Sequence, residues 1–278
     1  MNADNVAGSG VASGGSGAST MAADQAAGLA NVTGLKALLV EGALPGKVAD
    51  FTDKEQQEAA AFVALCAQRR PRGLALVRLE SMGGQLGQRR MRIGIVNDDM
   101  PFLVDSIAMA ITARGLIIHR LLHPVVCVER DDQDNLKAVH PLCDNWPRRE
   151  SMMYLEVDRA DARDRRELVA ELHHVLADVR AAVTDWEQLQ EKMRSDAETI
   201  RDDEGKALLR WFADGAMTLL GRQVECPHQR ESESLGVLRI PGEPLWGEGS
   251  CAAAISYFEQ GGQEPLVAKS DRLSSVHR

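Results

Sequence analysis

One stretch of the chain leaves little conformational freedom. Ile93-Gly94-Ile95-Val96 runs into Asn97-Asp98-Asp99-Met100-Pro101, and behind the proline Leu103, Ile107, Ala110 and Ile111 recur at helical spacing. A run of β-branched residues, a polar turn and an apolar stripe of period 3.6 predict strand, turn and helix in direct succession. Pro101 suits the first helical position, where its missing N–H would be unpaired anyway, and it keeps Met100 out of the helical conformation. Asp98 and Asp99 then lie beside the positive end of the helix dipole. Gly115 supplies the left-handed residue that ends the helix.

The flanking pattern extends this unit in both directions. Upstream, an amphipathic helix begins at Asp53 and closes at Arg69-Arg70-Pro71. Leu74, Leu76, Val77 and Leu79 then form a strand, joined to Met91–Val96 through Gly83–Gly87 as a hairpin. Downstream, Leu116–Val128 reads as a strand bent at His123-Pro124, followed by a polar turn over 130–135. Ser151–Val157 alternates, with Met153, Leu155 and Val157 as its apolar face. From Leu168 to Ile200 a three-and-four spacing persists for about nine turns; the expectation is either a break near Thr184-Asp185, where a short polar residue would cap a new helix, or a helix that projects as an interaction arm. A short helix through Ala213 and strands over Met217–Glu225 and Leu235–Ile240 complete the reading.

The fold class is therefore α+β: an antiparallel sheet with helices on one face, a long helical extension, and part of a second small β-rich unit. The expected boundaries are a disordered leader and linker over 1–50, the main domain with its preceding helix and hairpin over 51–183, a helical connector over 184–214, and a truncated second unit over 215–278. The leader follows from composition, since nineteen of the first thirty residues are Gly, Ser or Ala and cannot offset their ordering entropy.

Charge and cysteine usage narrow the function. A net charge of −9 disfavours nucleic acid and anionic lipid as partners. Five cysteines without CxxC spacing fit reduced, buried thiols in a cytoplasmic protein. No apolar run is long enough for a membrane span, and no secretory signal pattern opens the chain. Gly8-Ser9-Gly10 is no phosphate loop, because no strand precedes it and no helix follows directly. No catalytic constellation or metal set stands out. His119 and His123 share a strand face without a third ligand, Cys226-Pro227-His228 lacks a second pair, and His174 faces Asp178 one helical turn on. Arg148-Arg149-Glu150 reads as an exposed ion-pair cluster, with contact to an anion or a neighbouring subunit as the alternative. The candidate ligand site is the turn Asn97, Asp98, Asp99 and Met100, although a turn that caps a helix uses the same residue types.

The order of elements, with an aspartate-x-proline turn entering the first helix and a glycine leaving it, resembles an ACT-type (ferredoxin-like) regulatory domain. The stretch Ile95 to Ile107, His123-Pro124-Val125, Arg149-Glu150-Ser151, Val175–Val183 with Asp185-Trp186, Leu209–Gly215 and Ala268-Lys269-Ser270 are together similar to the N-terminal region of the large bacterial NAD-specific glutamate dehydrogenases. The resemblance covers about Leu74 to Arg278. It implies a non-catalytic regulatory or assembly region, with NAD bound in a dehydrogenase domain that this chain lacks. It also implies an amino-acid effector near Asn97–Met100 and a homo-oligomer formed through sheet or helical arm. A free-standing ACT-type amino-acid sensor is the alternative. Because Arg278 falls inside a family-like run, the polypeptide is expected to be a piece of a longer one. The position after the proline, glycine in many ACT turns, is Phe102 here, which works against effector approach to the backbone.

Overall fold

The computed structural model describes residues 31–41, 50–83 and 90–222 continuously, with shorter pieces between 225 and 262. Residues 31–41 form helix α1, and Asp53–Ala67 form α2, opened by a reciprocal capping box between Thr52 and Glu55. Strands β1 (Leu76–Ser81) and β2 (Arg90–Asp98) make the expected hairpin. Helix α3 spans Leu103–Ala113, followed by β3 (Ile118–Leu122), β4 (Val125–Arg130), β5 (Leu136–His140) and β6 (Arg149–Asp158). Helix α4 runs from Ala162 to Thr199 and α5 from Asp203 to Trp211. Four two-residue strands follow: β7 (Gly221–Arg222), β8 (Glu225–Cys226), β9 (Gln229–Arg230) and β10 (Leu235–Gly236).

The main sheet is antiparallel in the order β1-β2-β6-β4-β5. β3 and β4 both lie along β6, β3 against its second half and β4 against its first. They are the expected bent strand, interrupted at His123-Pro124. The ladder survives the interruption because Met152 N–H donates to the Pro124 carbonyl at 3.0 Å. β5, irregular in sequence, pairs with β4.

Helices α3 and α4 cover one face of the sheet, where Met91, Ile93, Ile95, Met153, Leu155 and Val157 meet Ile107, Ile111, Leu168, Leu172 and Val175. The opposite face is also covered. Val96, Met152 and Tyr154 pack with Phe62 and Val63 of α2 and with Leu35 and Leu39 of α1. β6 is thus buried on both sides, whereas alternation had assigned it a single apolar face. The leader and linker expected up to residue 50 contains α1, with both leucines inside the core. Residues 1–27 lie outside the described part.

Two further expectations change. Helix α4 does not break at Thr184-Asp185. Asp185 stays helical and buried, and its carboxylate accepts from Gly236 N–H at 2.7 Å and from Arg239 at 2.8 Å. The short polar residue caps backbone from another segment rather than a helix of its own. The strands expected over Met217–Glu225 and Leu235–Ile240 shrink to the β7–β10 ladder, with Val237–Arg239 coiled into a single 3₁₀ turn; Ile240 lies outside the described residues.

Close packing of α2 on the sheet depends on Gly94, where a Cβ would sit 3.0 Å from the Phe62 ring and 3.4 Å from Cys66 Cβ. A branched side chain there must push the helix away. Gly94→Val is expected to lower the unfolding free energy in urea by about 1–3 kcal/mol. Gly34→Ala, in helix α1 where a Cβ meets only the Val139 carbonyl at 3.7 Å, is expected to raise it by about 0.5–1 kcal/mol.

Candidate functional site

The turn Asn97–Met100 emerges from the centre of the sheet, where β2 is hydrogen-bonded to both β1 and β6 and places Asn97 opposite Ser151 and Asp98 opposite Glu150. Alternation sends the Asn97 side chain toward α3 and α4 and the Asp98 side chain toward α2. Asp98 is where the two faces meet. Arg180 of α4 donates to Asp98 Oδ2 at 2.6 Å and to Asn97 Oδ1. Arg70, three residues past α2, lies 2.7 Å from Asp98 Oδ1. Burial alone would push the Asp98 carboxyl up, but the hydrogen bonds and charges of Arg70 and Arg180 outweigh it and hold the group below the ordinary 3.8.

Of the four turn residues, Asn97 is fully buried and Asp98 is engaged on both oxygens. The Met100 sulfur accepts a long contact from Asn97 Nδ2 at 3.9 Å. Asp99 is exposed, with Arg149 Nε 3.9 Å away. The helix does not start at Pro101. Phe102 precedes it in the left-handed conformation, φ 69°, and Leu103 is its first residue. The chain therefore keeps the glycine-like backbone of this turn while carrying a phenyl ring, a conformation that costs about 1 kcal/mol or more in a non-glycine residue.

A second charged group lies below Asp98. Glu150, fully buried, receives Arg70 Nη1 at 2.8 Å, Arg148 Nε at 3.0 Å, and Arg130 through Nε at 2.9 Å and Nη2 at 2.7 Å. Other guanidinium nitrogens donate to main-chain and turn oxygens: Arg70 Nε to Leu74, Arg130 Nη1 to Ala67 and Asp134, Arg148 Nη2 to Arg70 and Nη1 to the Asp134 carboxylate, while Arg70 Nη2 is held by its ion pair with Asp98. Pairing of this density is what a buried charge requires. The exposed cluster expected at Arg148-Arg149-Glu150 is thus an interior one. Only Arg149, on the other side of the strand, is half exposed.

The remaining candidates separate. His119 contacts Asp158 at 2.7 Å and His123 contacts Ser151 Oγ at 2.6 Å, and burial lowers the pKa of His123. Among the described residues no group of three His, Cys, Asp or Glu is placed to hold a metal ion, and no helix is long and apolar enough to cross a membrane. His174 faces Asp178 at 3.7 Å, as the spacing predicts, and His228 lies outside the described residues. A feature that spacing did not reveal is a cleft of about 210 Å³ between Phe102, the α4 residues Val183, Trp186 and Gln190, and Met217–Leu220. The sequence signal for it was an aromatic residue on the outer side of α4, half exposed at Trp186.

A two-helix layer on an antiparallel sheet, entered through an aspartate-x-proline turn, defines an ACT-like α+β domain. Residues 42–172 match the glutamate dehydrogenase ACT1 domain. The chain is similar to the NAD-specific glutamate dehydrogenases of Halomonas elongata, 33% identical over 143 residues, and of Pseudomonas aeruginosa, 34% identical over 144 residues. Each alignment takes in 46% of this chain and 9% of the relative's length. The resemblance is to the N-terminal ACT1 region of those oxidoreductases.

Two outcomes follow from the charged groups. Glu150→Gln leaves three guanidinium groups without their shared counter-charge and is expected to cost about 3–5 kcal/mol in denaturant unfolding at pH 7. Asp98→Asn is expected to destabilise the chain at neutral pH. The folded carboxyl titrates below its unfolded value, so its contribution is complete above that value and is lost as pH falls through the folded one. The stability gap between wild type and Asp98→Asn should hold from pH 7 to 5 and close below pH 3.8.

Proposed function

We propose that the chain is the regulatory and assembly region of a large NAD-specific glutamate dehydrogenase, whose dehydrogenase part deaminates L-glutamate oxidatively to 2-oxoglutarate and ammonia with NAD. The observation that carries the reading is the ACT1 match over 42–172, laid on a domain whose polar turn is tied from both faces by Arg70 and Arg180. A turn held this way transmits displacement of α4 to the sheet, and displacement of the sheet to α4, as a regulatory module must. NAD belongs to the dehydrogenase part. Within the turn, Asp99 and Met100 retain capacity for an amino-acid effector. The Asp99 carboxylate suits the effector's ammonium group, while Asn97 and Asp98 shape the seat from below. A homo-oligomer formed through the sheet or the α4 arm supplies the assembly role.

Purified chain mixed with glutamate and NAD is expected to form no NADH. Formation that scales with protein and survives repurification contradicts the division of labour. Titration calorimetry against the twenty amino acids is expected to give saturable heat with at least one, reduced in Asp99→Ala. Silence at millimolar ligand removes the effector from the proposal and leaves assembly, which sedimentation velocity reads as a concentration-dependent oligomer.

A further inference from the structure

Strand β4 and the segment that follows β5 bring two thiols together. Cys127 pairs across the ladder with His140, and Cys143, three residues beyond that partner, folds back so that its Sγ lies 3.2 Å from Cys127 Sγ. The contact is reinforced by Cys143 N–H donating to Cys127 Sγ at 3.3 Å and by the Cys127 thiol facing the Cys143 carbonyl at 3.7 Å. Cys127 is fully buried and Cys143 partly open to solvent. A disulfide has a sulfur–sulfur distance of about 2.04 Å, so closure needs only about 1.2 Å of further approach.

We propose that Cys127 and Cys143 are a reversible dithiol–disulfide modification site, oxidised by a peroxide. The solvent-facing sulfur of Cys143 attacks the peroxide, breaking its O–O bond to give a sulfenic acid and one water. The Cys127 sulfur then attacks the sulfenic sulfur. The S–S bond forms as the S–O bond breaks, and the oxygen leaves as a second water with the Cys127 proton. Two thiols lose two electrons in all and the peroxide gains them; a dithiol reductant reverses the change. The hydrogen bond that Cys143 donates to the Cys127 sulfur, with burial, holds the Cys143 thiol above its ordinary value, so the reactive thiolate is scarce at neutral pH and the attack on peroxide is slow there.

The site has structural leverage. The segment that Cys143 opens also carries Trp146, whose indole N–H donates to the Val128 carbonyl at 3.1 Å, and Arg148, one of the three arginines on Glu150. A bond at Cys143 pins that segment to β4 and limits the excursions of Arg148. Cys66 does not compete, because it is buried against the Gly94 carbonyl at 3.5 Å and burial pushes its thiol up to about 11.

The test uses the full chain treated with hydrogen peroxide, quenched with an alkylating reagent and examined by mass spectrometry. The reduced chain has five alkylatable thiols. The proposal expects three after oxidation, a mass about 2 Da lower before alkylation, and tryptic peptides 121–130 and 138–148 linked to each other, all reversed by dithiothreitol. Oxidised wild type is also expected to unfold at a higher urea concentration than Cys143→Ser treated the same way. Sulfinic acid at Cys143 without a link, a link from either cysteine to a third one, or five thiols still present after treatment would each overturn it. Cys127→Ser gives the same reading from the other side: the sulfenic acid on Cys143 should persist long enough to be trapped by dimedone.

Discussion

Everything around the sheet is organised by two carboxylates on adjacent strands, Asp98 of β2 and Glu150 of β6, which face each other in register. Arg70 touches both. It is the largest fully buried side chain among the described residues, and it brings the end of α2 onto the sheet. Arg180 reaches Asp98 from α4 on the opposite face. One carboxylate therefore joins elements that the sheet keeps apart, and the second gathers Arg130 and Arg148 from the β4–β6 end. Apolar packing makes both faces favourable; the ionic clasp sets where each helix sits along the strands.

This arrangement bears on what an ACT-like turn can do here. In a turn that is open to a ligand, the polar atoms are unoccupied and the backbone is bare. Here Asn97 and Asp98, two of the four turn residues, are committed to arginines, and a phenyl ring at Phe102 stands where the backbone conformation favours glycine. The same ring borders an apolar cleft with Trp186 and Met217. The region thus has a tightly held polar side and an adaptable apolar side, and a change on either is felt by α4, the element common to both.

The hairpin, the strand–turn–helix unit, the Gly115 terminus and the bend at His123-Pro124 were legible because each depends on neighbours in sequence. Periodicity, proline and glycine act over a few residues. What sequence reading missed depends on partners far apart. Arg69-Arg70-Pro71 reads as basic residues closing a helix, and nothing local shows that Arg70 is buried against Glu150, eighty residues away. Asp185 carries the signature of a cap and is one, but for Gly236 rather than for a new helix. β6 alternates as a half-buried strand does, yet its other face is covered because α1 and α2 fold across it, with Glu156 neutralised there by Arg120 and Arg90. Asn97 and Asp98, read as turn residues, are the last residues of β2, and the division of their side chains between the two faces follows from the alternation of that strand.

The most direct test of the clasp is a double-mutant cycle on Arg70→Met and Arg180→Met, with unfolding measured in urea at pH 7. These side chains come from opposite faces of the sheet and meet only through Asp98. If that carboxylate joins the layers, the two effects couple by about 1 kcal/mol or more, and the coupling disappears when the cycle is repeated in Asp98→Asn. Effects that add within about 0.5 kcal/mol in the wild-type background would show that the two helical layers are held independently.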